Sequence, residues 1–264
     1  MKKLFNIVCI ICVLASTGCE NEEILTVDSD YKEYIVVQAQ IEANKFFPSV
    51  RFTKTLPLGV PYTIEDSELT SVVAYIRRNG VQIISLVYSS EGLYKPLSNI
   101  FVVEGETYEL LAVYEGTYIY SKTIVPYKPE IQRTFYDSNR HRLNAEVIAR
   151  GGEVYAALWS VSTTPAVIAK DYYSISSGES GLSTTATTSS LPEEYWGNNY
   201  SNSRYIRVDA FDESFKEYFN SRTSGNEIND PFVQGGGEII WNVQGNNTIG
   251  LFIGIAKGIP QQVL

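Results

Sequence analysis

The sequence predicts a mainly β protein. An antiparallel β-sandwich over residues 31–127 is followed by a second, mostly β domain over 128–264 with one short helix. Three observations carry this. Apolar residues alternate with period two from Glu33 onward, and Asn79-Gly80 sits between two apolar runs as a tight hairpin turn requires. Glu-Gly pairs at 91–92, 104–105 and 115–116 then punctuate the chain at strand length.

Taken in order, Ile35, Val37, Ala39 and Ile41 share one face of a strand, with Gln38, Gln40 and Glu42 on the other. Val50–Thr55 alternates in the same way. Val72 to Tyr88 reads as a hairpin closed by Asn79-Gly80, two residues tolerant of positive φ. Strands are expected at Ile100–Val103, Thr107–Tyr114 and Thr117–Val125, where Tyr108, Tyr114, Tyr118 and Tyr120 suit cross-strand pairing. Pro126 and Pro129 mark a linker. Beyond it, Ala145–Arg150 and Val154–Val161 read as strands joined at Gly151-Gly152. Residues 174–190, rich in Ser and Thr and nearly free of apolar side chains, read as an exposed loop. Tyr205–Val208 is a strand candidate. Asp212–Ser221 is the one helix, with Phe215, Tyr218 and Phe219 at helical spacing. Gly235-Gly236-Gly237 reads as a turn before a strand at Glu238–Val243, and Asn246-Asn247 leads into a last apolar strand, Ile249–Ala256.

Composition excludes several function classes. The 264 residues include one His, three Cys and one Met, too few for zinc fingers, disulfide frameworks or haem held by paired His or Met. No cofactor is implied. With 21 Lys+Arg against 30 Asp+Glu, the net charge of -9 argues against a nucleic-acid partner, which needs clustered cations.

Residues 1–18 read as a lipoprotein signal peptide: basic Lys2 and Lys3, an apolar run from Leu4 to Ala15, then Ser16-Thr17-Gly18 before Cys19. The apolar run is too short to span a hydrocarbon core of about 30 Å. A small residue directly before a Cys is the pattern in which that thiol is acylated, here palmitate-type lipidation of Cys19. Residues 19–30 form an acidic tether, and Glu20-Asn21-Glu22-Glu23 resembles the signal that sends Bacteroidota lipoproteins to the outer face of the outer membrane. Loss of Lys2 and Lys3 with the signal makes the mature chain more acidic still. Attachment to the membrane therefore falls to lipid rather than to a basic patch.

No catalytic constellation stands out. Gly235–Gly237 precedes a strand rather than a helix and lacks the Lys-Ser/Thr pair of a phosphate loop. His141, between Arg140 and Arg142, reads as a solvated surface residue, and no nucleophile elbow accompanies it. Glu193 and Glu194 are adjacent and would diverge on a strand, and the Asp209, Asp212 and Glu213 cluster reads as helix-capping charge. An enzyme is not expected. Phe211, Phe215 and Phe219 read as packing the helix on a sheet. Tyr195, Trp196 and Tyr200, in a loop marked by Gly197, Asn198 and Asn199, are the candidate contacts for a ligand or partner. Their aromatic rings can stack on a carbohydrate, or anchor a peptide or protein. The bland alternative is that Trp196 folds back as a plug on the core.

In this order, the following features resemble a Bacteroidota outer-membrane lipoprotein family catalogued as domain of unknown function 4249. They are the signal ending at Cys19, the strands Ile35–Ile41 and Val50–Thr55, Gly92-Leu93-Tyr94 with Val103 to Leu110, Thr123–Pro126, the helix Phe211–Arg222, and the closing Asp230-Pro231-Phe232, Trp241-Asn242-Val243 and Ile249–Phe252. The run from Gly92 to Leu110 is similar to transthyretin-like and carboxypeptidase-regulatory-like sandwiches, which implies an immunoglobulin/transthyretin-like N-terminal fold. The resemblance implies a surface lipoprotein serving as a non-catalytic accessory of a TonB-dependent nutrient-uptake receptor, and it carries over no catalytic residues. The rival expectation is a fimbrillin-like structural or adhesion subunit that polymerises by strand exchange. Lys32, just before the first strand, fits the proteolytic site such a subunit needs.

Overall fold

The computed structural model describes residues 31–57, 59–223 and 239–263. Cys19 and the rest of the expected signal and tether lie outside these residues, as do Gly235–Gly237.

Alternation in the first strand carries directly into the structure. β1 (Ile35–Glu42) buries Ile35, Val37 and Ile41 and exposes Gln38 and Gln40. β2 (Val50–Lys54) pairs antiparallel with it, Gln38 opposite Arg51. A single turn, α1 (Ile64–Ser67), is capped by the Thr63 side chain, which accepts from the Asp66 N–H. β3 (Val73–Arg78) and β4 (Gln82–Ser90) form the expected hairpin. Asn79 and Gly80 take φ of 50° and 71°, and the Val81 N–H donates to the Arg78 carbonyl at 3.1 Å. Positive φ at both positions matches the right-handed twist of the flanking strands. β5 (Leu93–Pro96), β6 (Thr107–Tyr114) and β7 (Thr117–Ile124) follow. The strand expected at Ile100–Val103 is absent. That segment forms one isolated bridge, Phe46 to Phe101, and is clipped to residues 44–47 by backbone hydrogen bonds.

The second half contains β8 (Ile131–Asp137), β9 (Arg142–Ile148), β10 (Glu153–Val161), β11 (Val167–Ile168), β12 (Ser183–Ser190), β13 (Arg204–Asp212), the helix α2 (Ser214–Thr223), β14 (Thr248–Lys257) and β15 (Gln261–Gln262). β12 corrects the loop expected over 174–190. It pairs antiparallel with β9, Ala186 opposite Ala145, and buries Ala186 and Thr188. Thr is β-branched and well suited to a pleated surface, so strand formation here needs little apolar content. The strand expected at Glu238–Val243 is corrected too: residues 239–243 are irregular. There the Asn242 amide stands in for a strand partner, donating to the Phe252 carbonyl at 2.7 Å and accepting from its N–H at 2.9 Å.

The protein is mostly β, with one large mixed sheet and one small sheet. The large sheet runs β11-β10-β13-β14-β1-β2-β5-β4-β3-β6-β7, with β15 pairing β13, and the small one runs β12-β9-β8. The pairing of β14 with β1 is parallel, from Ile35 opposite Thr248 to Glu42 opposite Ile255. It was not foreseen in a purely antiparallel scheme. It also bears on the boundary expected at residue 127, because Glu33–Leu264 forms one compact unit and the large sheet runs across that point. The reason is burial. β14 carries Phe252 and Ala256 on one face and Ile253 and Ile255 on the other, so it needs cover on both faces and a neighbour on each edge. β1 and β13 supply the edges. Gly250, at φ +138°, permits the approach, since a Cβ there would collide with the Val37 carbonyl oxygen. The sheet also folds over on itself: β7 packs near β14, where the Gly254 N–H donates to Thr123 Oγ1 at 2.8 Å.

Two cores result. The main one lies on the inner face, with Val37, Phe52, Leu110, Val147 and Phe252. The second lies on the opposite face, where Val154, Phe211, Ile253 and Ile255 are covered by Phe215 of α2 and by Tyr172.

Candidate binding surfaces

Tyr195, Trp196 and Tyr200 come together, but in three different settings. Pro192 and Gly197 each precede a short 3-10 turn, at Glu193–Tyr195 and Asn198–Ser203. Tyr195 is buried and meets Tyr200 edge-on at 5.3 Å between centroids. Trp196 is 36% exposed. One face of its indole stacks on His141 at 3.6 Å and 6°, and its Nε1 donates to the Leu191 carbonyl at 2.7 Å. The turn is clamped from below by Arg204, which is 4% exposed. Its guanidinium donates to the carbonyls of Tyr195, Trp196 and Gly197 and lies 4.2 Å from the centre of the Tyr136 ring. Among the described residues this buried cation has no carboxylate partner, and it is tolerated because three carbonyl dipoles and a π face replace its water.

His141 is corrected by this arrangement. It is half-buried beneath Trp196, and its Nδ1 shares a 2.7 Å hydrogen bond with the Tyr136 hydroxyl. Asp209 is corrected as well. It is fully buried, ion-paired with Arg207 at 2.9 Å, and accepts from the Tyr172 hydroxyl at 2.7 Å. Burial, then the Asp209 charge, pushes the Tyr172 phenol far above its ordinary range. Asp212 does serve the helix start, accepting from the Ser214 N–H at 3.0 Å. Among the described residues, no three His, Cys, Asp or Glu side chains gather as a metal site would require.

A second surface was not singled out from the sequence. Through Phe215, α2 packs on the outer-face residues Val154, Phe211, Ile253 and Ile255 of β10, β13 and β14. A groove of about 670 Å³ is lined by α2 together with residues of β1, β2 and β14. Its floor is Gln38 and Gln40 of β1 with Leu251 and Ile253 of β14. These face the same way because Gln38 pairs with Leu251 and Gln40 with Ile253. Phe215, Tyr218 and Phe219 wall one side. Phe215 also stacks on Phe211 at 4.2 Å, as the expected packing of this helix on a sheet requires. Trp241 closes one end, 5.4 Å from the Tyr218 ring, while Arg51, Lys170 and Arg222 stand on the rim. A second depression of about 520 Å³ shares Val36, Gln38 and Arg51 with the first and runs along β2 to Lys54 and Tyr62. The amphipathic alternation of β1 was visible in the sequence. That its polar face meets a helix wall was not, since the wall comes from residues nearly 180 positions away.

No protein-family model matches the chain, and no curated protein matches it. Among the described residues, no helix is long and apolar enough to cross a membrane.

Proposed function

We propose that the chain is an outer-membrane lipoprotein, anchored by acylated Cys19 and facing the cell exterior. There it serves as a non-catalytic binding partner of a TonB-dependent nutrient-uptake receptor. The observation that carries this reading is the N-terminal order of Lys2-Lys3, the apolar run, Gly18-Cys19 and Glu20-Asn21-Glu22-Glu23. The resemblance to the lipoprotein family of unknown function and its transthyretin-like sandwich supports it. So does a groove lined by aromatic rings and side-chain amides, the composition of a binding surface. The fimbrillin-like alternative needs β1 to leave the sheet. β1 is paired along its length with β14 and also with β2, so its departure would open two ladders at once, which favours the accessory reading.

The test combines anchoring with partner capture. Cells expressing full-length wild type or Cys19→Ala are labelled with an alkyne-bearing palmitate, fractionated, and the tagged protein is recovered from detergent-solubilised outer membrane. Labelled wild type in the membrane fraction, unlabelled variant outside it, and co-recovery of a receptor barrel are expected. A ladder of self-multimers without a barrel would favour the fimbrillin-like subunit. Membrane retention of the unlabelled variant would overturn lipid anchoring.

A further inference from the structure

We infer that the groove beside α2 binds a linear acidic oligosaccharide, with carboxylate-bearing sugar units lying across β1 and β2. This deepens the reading of the chain as a binding protein by naming the ligand class of that site. Three observations point there.

The first is the shape and continuity of the surface. The two depressions are adjacent along β1 and β2 and share Val36, Gln38 and Arg51, so together they make an open, elongated surface rather than a closed pocket. An extended chain molecule fits it better than a compact one.

The second is what the channel offers for recognition. An extended peptide commonly docks by adding a strand to a sheet edge. No edge is available on this floor, because β1 lies between β14 and β2, and β2 lies between β1 and β5. β1 is paired with β14 along its whole length and with β2 over Ile35–Gln38, and β2 is paired with β5 at Val50 and Arg51. What the surface offers a ligand is therefore mainly side chains, aromatic rings (Tyr218 and Trp241) beside hydrogen-bonding amides (Gln38 and Gln40). Sugar rings present apolar C–H faces that stack on aromatics, and hydroxyls that both donate to and accept from an amide.

The third is charge. Four charged residues line the larger depression: Arg51, Lys170 and Arg222 against Asp171. Arg51 reaches Glu91 only at 3.8 Å, and among the described residues neither Lys170 nor Arg222 forms an ion pair. A locally cationic channel in a chain of net charge -9 selects for anions, and a guanidinium matches a carboxylate bidentately.

The experiment is isothermal titration calorimetry on the soluble chain starting at Glu20. The probes are tetragalacturonate, a chondroitin tetrasaccharide, maltotetraose and hexaglutamate. One or both acidic glycans should bind, with an affinity that falls as salt rises and exceeds that for maltotetraose by roughly tenfold or more. Trp241→Ala and the exposed Gln38→Ala should each weaken binding by roughly tenfold while circular dichroism stays that of wild type. Arg51→Gln should remove the salt dependence in part. The assignment is overturned if both acidic glycans fail to bind, if maltotetraose binds equally well, if hexaglutamate binds more tightly than either glycan, or if Gln38→Ala leaves affinity unchanged. Because the lipid is absent from this sample, a failed titration leaves the Cys19 anchoring test untouched, and the reverse also holds.

Discussion

Two tryptophans mark the difference between an exposed aromatic and an open binding surface. Trp196 sits in a polar, Gly- and Asn-marked turn, the setting in which a sequence suggests a ligand contact. Yet one face of its ring is covered by His141, its N–H is held by Leu191, and the backbone around it is clamped by buried Arg204. Trp241 lies in an irregular stretch that the sequence presents as a strand. It ends up beside Tyr218 at the end of a groove whose floor carries two exposed amides. The lesson concerns neighbours rather than exposure. A ring whose polar atom and one face already have partners stabilises a turn, while a ring on an uncovered sheet face is available to something else.

That contrast can be broken at its foundations. Gly250 lies in the groove floor at φ +138°, where an added Cβ meets the Val37 carbonyl oxygen. Gly250→Ala should therefore cost about 3 kcal/mol or more, combining backbone strain with a displaced β1–β14 ladder. A urea midpoint within experimental error of wild type would mean that β14 does not lie against β1 in this register. Next in size is Arg204→Ala, which leaves three carbonyls without their shared donor. A loss of about 2 to 3 kcal/mol is expected, together with a blue or red shift of Trp fluorescence as the 193–203 turn loosens. If stability and fluorescence both stay put, the clamp is not what holds the turn.

The two tryptophans themselves sharpen the comparison. Trp196→Ala removes a stacked pair and one hydrogen bond, so about 1 to 2 kcal/mol should be lost in chemical denaturation. Trp241→Ala should cost clearly less, about 1 kcal/mol or below, because its ring meets Tyr218 at a tilt of 37° and 5.4 Å rather than in a parallel stack. The reverse ranking would exchange the roles assigned to the two residues, making Trp241 the structural plug and the 195–200 turn the freer surface.

Legibility followed the range over which each feature is decided. The hairpin at Asn79-Gly80 and the strands β6 and β7 were readable because turn φ angles and side-chain alternation are local properties. β12 was not, since Ser183–Ser190 has almost no apolar signal and becomes a strand through pairing with β9 and the burial of Ala186 and Thr188. His141 looked solvated because the ring that covers it is 55 positions further along the chain. The helix face Phe215–Phe219 was legible as packing. The groove next to it was not, for α2 lines it together with strands from both halves of the chain.

By itself, then, the sequence determined the β character of the protein, its tight turns and, among the described residues, the one longer helix. All of these rest on residue type at short spacing. The tertiary structure alone decided that β14 inserts beside β1, that one sheet crosses the Pro126–Pro129 linker, and which aromatic rings face open space. Those outcomes depend on which distant strand satisfies a doubly buried one. Side-chain pattern specifies that a strand such as β14 needs two covered faces and two edges, but many partners meet that need equally well until the whole chain is packed.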